Sequence, residues 1–132
     1  MIVADTNVIA YLVLDSPYTD LATDLYARDP DWAVPLLWRS EFRSVLIHYV
    51  RQGHLSIAHA LQILEETEEI FREHEYDVPS SEVLRLSAES GCSPYDCEFA
   101  ALSHALDVPL ITMDRKLHAC FPETTRLLDQ PR

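Results

Sequence analysis

Short apolar runs alternate along this chain with longer stretches of helical period, and that alternation restricts the fold more than any other feature. "IVA" (Ile2 to Ala4), "WAVP" (Trp32 to Pro35), "EYDVP" (Glu75 to Pro79), "LIT" (Leu110 to Thr112) and a last run near Thr125 to Leu128 read as strands. Between them, apolar residues recur at three- and four-residue spacing from about Thr6 to Leu14, Tyr18 to Arg28, Leu36 to Gln52, Ser56 to Glu73, Ser81 to Ser90 and Ser93 to Ala105, with a helical turn after Asp114. Ser56 and Ser93 stand where N-caps belong, and Gly53 and Gly91, the only 2 glycines, stand where helices end. Such strands joined by amphipathic helices predict an α/β protein whose parallel sheet is covered on both faces. At 132 residues the expectation is one domain, 1–132, with a sizeable core.

Two of the strands run straight into an aspartate: "MIVADTN" places Asp5 after Ala4, and "PLITMD" places Asp114 just beyond Thr112. In open parallel sheets, ligands bind outside the carboxyl ends of the strands, where strand order switches. Each acid also has a structural explanation, because each directly precedes a helix and Asp is a favoured N-cap. Asp96, in "SPYDCEF", is the third residue of a helix that Ser93 caps and Pro94 opens, an arrangement like a capping box.

Glu41 is harder to explain structurally. Its neighbours at three and four residues are Leu37, Trp38 and Val45, so it shares the apolar side of its helix, away from Arg39 and Arg43. A carboxylate there is costly unless an arginine pairs with it or it ligates a metal. Gathered at one sheet edge, Asp5, Glu41, Asp96 and Asp114 would repel one another and raise each other's pKa values unless a divalent cation sat among them. All-oxygen ligation points to Mg²⁺ or Mn²⁺, one or two ions, and the implied chemistry is metal-assisted phosphodiester hydrolysis.

In chain order, "VADTNVIAYL", the isolated helical Glu41, "YDCEFAALSHAL" and "PLITMDRKL" resemble the motifs of the PIN-domain ribonucleases, and within them the VapC-type toxins of toxin–antitoxin pairs. The similarity spans nearly the whole chain, and the family's acidic quartet falls on Asp5, Glu41, Asp96 and Asp114. The resemblance implies a three-layer α/β/α sandwich around a mainly parallel five-stranded sheet. It also implies an endoribonuclease with RNA as substrate and Mg²⁺ or Mn²⁺ as cofactor, forming a homodimer that a small antitoxin neutralises. Thr6, Asn7 and Thr112 are the small polar residues beside the first and last acids, and Asn7 and Thr112 are the expected hydrogen-bond donors to them or to metal-bound water. One departure is Asp107, where a glycine commonly ends the helix before the last core strand; Asp tolerates the left-handed conformation required.

The net charge of −12 opposes RNA binding, and two divalent ions would bring it only to −8 (−12 + 4). Local basic groups must therefore assist, and Arg39, Arg43, Arg115 and Lys116 are the candidates nearest the acids in sequence. Trp32 and Trp38 are expected to fill core, although an exposed Trp38 could stack on a base. The histidines form no recognisable site. Three cysteines, an odd number without metal spacing, favour a reducing cytosol over a disulfide framework, and the expected location is cytoplasmic. No apolar run approaches the roughly 18 residues that span a membrane.

Other aspartate-based enzymes fit poorly. A haloacid-dehalogenase-type phosphatase needs an aspartate two residues after the first, where this chain has Asn7, and a receiver-type phosphoacceptor needs an acidic pair near its first strand. The alternative that stays open is a non-catalytic PIN-like domain that binds RNA or a protein.

Overall fold

The computed structural model describes residues 1–130. In chain order the elements are β1 (Ile2–Ala4), α1 (Thr6–Val13), α2 (Thr19–Arg28), β2 (Trp32–Pro35), α3 (Trp38–Arg51), α4 (Ile57–Phe71), β3 (Glu75–Tyr76), α5 (Ser80–Ser90), α6 (Pro94–Leu106), β4 (Leu110–Thr112), α7 (Arg115–Cys120) and β5 (Thr125–Leu127). The strands form one five-stranded sheet in the order β3-β2-β1-β4-β5. Every pairing is parallel, with Val3 in register with both Ala33 and Leu110.

The pleat sends alternate residues to opposite faces and so divides the core. Ile2, Ala4, Trp32, Val34 and Ile111 join the buried residues of α1 to α4, among them Val8, Ile9, Leu25, Phe42 and Phe71. Val3, Ala33 and Leu110 face the other way, onto Phe99 and Leu102 of α6 and Leu117 of α7. A third apolar cluster, with Val83, Leu86, Cys97 and Ala101, packs α5 against α6. The result is the three-layer α/β/α sandwich that the alternation of runs implies.

Local chemistry sets the boundaries. The hydroxyls of Ser56 and Ser93 cap α4 and α6 through the amides of His59 and Asp96, each at 3.1 Å. Gly91 ends α5 at φ 75°, a left-handed conformation that suits a residue without Cβ. Asp107 adopts the same conformation after α6, at φ 53°.

The structure corrects two expectations. The third strand is only Glu75–Tyr76, and Pro79 instead opens α5. Trp32 and Trp38 fill core as expected: Trp38 is fully buried beside Phe42 and Phe71, and its indole N–H donates to Glu75 at 2.8 Å, so it does not stack on a base. Cys92 and Cys120 form a disulfide, and only Cys97 is a free thiol. Spacing in the chain concealed this pair; the corner where α5, α6 and α7 meet brings their Cα atoms to 6.4 Å.

Candidate active site

From β1 the chain works outward through β2 to β3, then crosses back to place β4 and β5 on the other side of β1. The switch in strand order therefore lies between β1 and β4. Asp5 and Asp114 follow the carboxyl ends of these two strands, and the Asp5 amide donates to Ile111 at 3.0 Å across the junction.

Asp5 is 9% exposed and is held at both oxygens. Oδ1 accepts from the Thr6 amide at 2.8 Å, the helix-capping bond expected of it. Oδ2 accepts from the Thr112 hydroxyl at 2.7 Å and, at 3.4 Å, from the Asn7 amide group. Thr112 Oγ1 in turn accepts from the Asp114 amide at 2.9 Å, so one buried hydroxyl ties the two strand-end acids together. Asp114 Oδ1 caps α7 through the amides of Lys116 and Leu117. Capping and site geometry are thus compatible here, since one carboxylate does both.

Glu41 enters from the first turn of α3 and, among the described residues, pairs with no arginine. Its Oε1 accepts from the Thr6 hydroxyl at 2.8 Å, which leaves Thr6 bridging Asp5 and Glu41. Asp96 enters from the first turn of α6, fixed through its amide by Ser93. Asp5, Glu41, Asp96 and Asp114 line one open cleft of about 530 Å³ together with Thr6, Asn7, Ser44, Val45 and His48.

The electrostatics reflect crowding without compensation. Burial pushes the Asp5 carboxyl up to about 7; hydrogen bonds from Thr112 and Thr6 restrain the rise, and the charges of Glu41 and Asp96 add to it. Glu41 is raised chiefly by burial, against its Thr6 bond, with Asp96 and Glu98 contributing. Asp96 is raised by burial and by the charge of Asp114, while the Ser93 bond and Lys116 act in the opposite direction. Among the described residues, none of the four acids forms a salt bridge.

The basic candidates separate. Arg39 is occupied elsewhere: its guanidinium grips Glu75 (Nη2 to Oε1 at 2.8 Å) and reaches Glu68 at 3.1 Å, tying α3 to β3 and α4. That corrects the expectation that it meets a substrate phosphate. Arg115 pairs with Asp129 at 2.9 Å. Arg43 is exposed and does not line the cleft. Lys116 is exposed and close enough to Asp96 to lower its pKa.

Sequence reasoning missed Ser44, Val45 and His48, although they lie three, four and seven residues after Glu41 and so share its stripe of α3. It also missed Glu98, an acid partly desolvated beside this group.

As a ligand set, these residues are hard oxygen donors, which fits Mg²⁺ or Mn²⁺ rather than a softer metal. The set is not drawn round a single point: among the described residues, no three His, Cys, Asp or Glu side chains form a ready-made ion site.

Fold and cleft together define a parallel α/β protein with an acidic site at its strand-order switch. The sequence from residue 2 to residue 120 matches the PIN domain model, and the chain belongs to the PIN domain family. A protein from Pyrobaculum aerophilum, known from its crystal structure, superposes with a TM-score of 0.75 at 23% identity, over 96% of this chain and 90% of the other. A toxin–antitoxin complex from Klebsiella pneumoniae contains a chain that superposes at 0.71 with 15% identity, over 99% of this chain and 100% of that one. At these identities the likeness is one of fold. No curated protein is significantly similar in sequence.

Proposed function

We propose that this protein is a divalent-cation-dependent endoribonuclease, the VapC-type toxin of a toxin–antitoxin pair. The observation that carries the reading is the cleft itself: four carboxylates at the strand-order switch, three of them desolvated and none in a salt bridge among the described residues, with Asp5 raised to about 7. Such an arrangement costs stability, and its explanation is a charged ligand that the acids exist to hold. Family membership supports a nuclease, and the Klebsiella pneumoniae complex supports an antitoxin partner. The resemblance of the motifs further supports a homodimer; no helix among the described residues is long and apolar enough to cross a membrane.

In this reading Asp5 and Asp96 are the principal ligands, and Asp114 and Glu41 complete the set. A bound Mg²⁺ or Mn²⁺ supplies positive charge against the scissile phosphate and makes water easier to deprotonate. The protein's part is orientation. Thr112 and Thr6 fix the Asp5 oxygens, Asn7 steadies the β1 and β4 ends, and Asp114 stays rigid because it also caps α7. Glu41 is the candidate general base: its pKa is raised and only Oε1 is engaged by a protein donor. Lys116 is the candidate phosphate contact, with Arg43 and, by breaking its exposed ion pair, Arg115 further along the surface.

The test is cleavage of purified cellular RNA by chelator-treated protein, before and after adding Mn²⁺ or Mg²⁺, alongside Asp5→Asn and Glu41→Gln. Defined fragments that require the cation and disappear in both variants are expected. Well-folded, cation-loaded protein that binds RNA but leaves it intact would replace this reading with the non-catalytic, PIN-like binding domain.

A further inference from the structure

Two of the cleft acids sit on elements that are covalently joined. Cys92 lies between α5 and α6, immediately before Ser93, whose hydroxyl caps α6 at the amide of Asp96. It is 2% exposed and locked to the end of α5, its carbonyl accepting from the Ser87 hydroxyl at 2.6 Å and its amide donating to Ser90 Oγ at 3.1 Å. Cys120 is the last residue of α7, the helix that Asp114 caps. Six residues of helix separate that cap from the sulfur, about 9 Å along the axis. The disulfide therefore runs from the base of the Asp96 element to the far end of the Asp114 element.

α7 packs mainly on β4 and β5, whereas α6 packs mainly on α5, β1, β2 and β4. Where the two helices meet, Leu117 lies against Phe99 and Leu102 in the middle of α6, and Phe121 and Cys120 join the small cluster around Val83, Leu86 and Ala101. The bond adds a covalent tie at the start of α6, next to the turn that carries Asp96.

We propose that the Cys92–Cys120 disulfide is a positioning element for the Asp96–Asp114 pair, and that its reduction by a cellular dithiol weakens the hold of the cleft on a divalent cation. The inference rests on the cation-binding reading above. One thiolate of the dithiol attacks Cys120 Sγ, the more exposed sulfur, and Cys92 leaves as a thiolate and takes up a proton. The second thiol of the reductant then displaces Cys120 from the mixed disulfide. Two electrons and two protons pass to the protein, and the reductant departs as its own disulfide. Cys97 does not compete, because it is buried and out of reach of the reductant. Freed of the bond, α7 can shift against the start of α6, and the two carboxylates lose their fixed separation.

The experiment measures Mn²⁺ affinity by calorimetry on the full chain, oxidised and dithiol-reduced, with amide hydrogen exchange on both forms. Expected is a loss of about tenfold in affinity on reduction, the low end of what removing an outer support from a metal site costs. Reoxidation restores it, the Cys92→Ala/Cys120→Ala variant matches the reduced form, and faster exchange is confined to α7 and the first turn of α6. Equal affinity in the two folded forms overturns the inference and leaves the cation site standing. Exchange rising throughout the sheet also overturns it, because the bond would then hold the fold rather than the pair. If neither form binds Mn²⁺, the cation reading fails and this one falls with it.

Discussion

Replacing Asp5 by Asn gives the sharpest test of the electrostatic argument, because its sign runs against the usual acid. A carboxylate in a salt bridge has a lowered pKa and loses stability as the pH falls. Asp5 has the opposite shift, from 3.8 to about 7, so the folded protein prefers it protonated. Its favourable contribution is complete at acid pH, is lost as the pH rises from about 4 to about 7, and then stays level. At about 1.4 kcal/mol per pKa unit, the interval from pH 5 to the folded-state pKa of about 7 is worth roughly 3 kcal/mol. For a chain of 132 residues that corresponds to roughly 10 °C in Tm. The assay is thermal and denaturant unfolding of wild type and Asp5→Asn, in chelator, at intervals from pH 5 to 8. The wild type should lose about this much relative to the variant, and the variant should be the more stable protein at pH 8. Parallel stability curves for the two proteins would show that Asp5 titrates as an ordinary exposed acid, and the argument from burial would be wrong.

A divalent cation should reverse that penalty: at a concentration 100 times its Kd, Mg²⁺ or Mn²⁺ should stabilise the wild type by about 2.7 kcal/mol at pH 8. Thermal shifts should show the gain shrinking toward pH 5, as Asp5 takes up its proton, and vanishing in Asp5→Asn. Thr112→Val removes the donor to Asp5 and the acceptor for the Asp114 amide; about 1–3 kcal/mol should be lost, and the pH profile of RNA cleavage should move upward. Arg39→Ala should lower denaturant stability by a similar 1–3 kcal/mol, roughly, with an unchanged KM for RNA, since Arg39 serves Glu75 and Glu68. Lys116→Ala should do the reverse, raising KM and leaving stability alone; the opposite pattern in this pair would misplace the substrate.

The elements were legible where local chemistry decides them. Ser93 and Gly91 mark real helix ends, and the strand before each aspartate is where periodicity puts it. Asp5 and Asp114 could be picked out because strands run straight into them, and Glu41 because it lies on an apolar helix side, whereas Asp96 by itself reads as part of a helix start. What stayed hidden depends on tertiary partners. Nothing local reveals that Arg39 faces Glu75 of the β3 edge strand, or that Trp38 is sealed beneath Phe71. The Cys92–Cys120 pair is likewise a product of helix packing, so counting cysteines led to the wrong answer. Thr6 was visible beside Asp5, but its bond to Glu41 spans 35 residues and only the fold discloses it.

The central position of β1 has a consequence for timing. β1 must keep one edge open until β4, more than a hundred residues later, arrives to pair with it and deliver Thr112 to Asp5. Contacts of such long range form slowly and late. A ribosome adding roughly 5–20 residues each second would need about 6–20 s to carry synthesis from β1 to β4. Throughout that interval the nascent chain holds Asp5 and Glu41 without Asp114 and its strand. The cleft is therefore incomplete until β4 has paired with β1 and brought Asp114 beside Asp5.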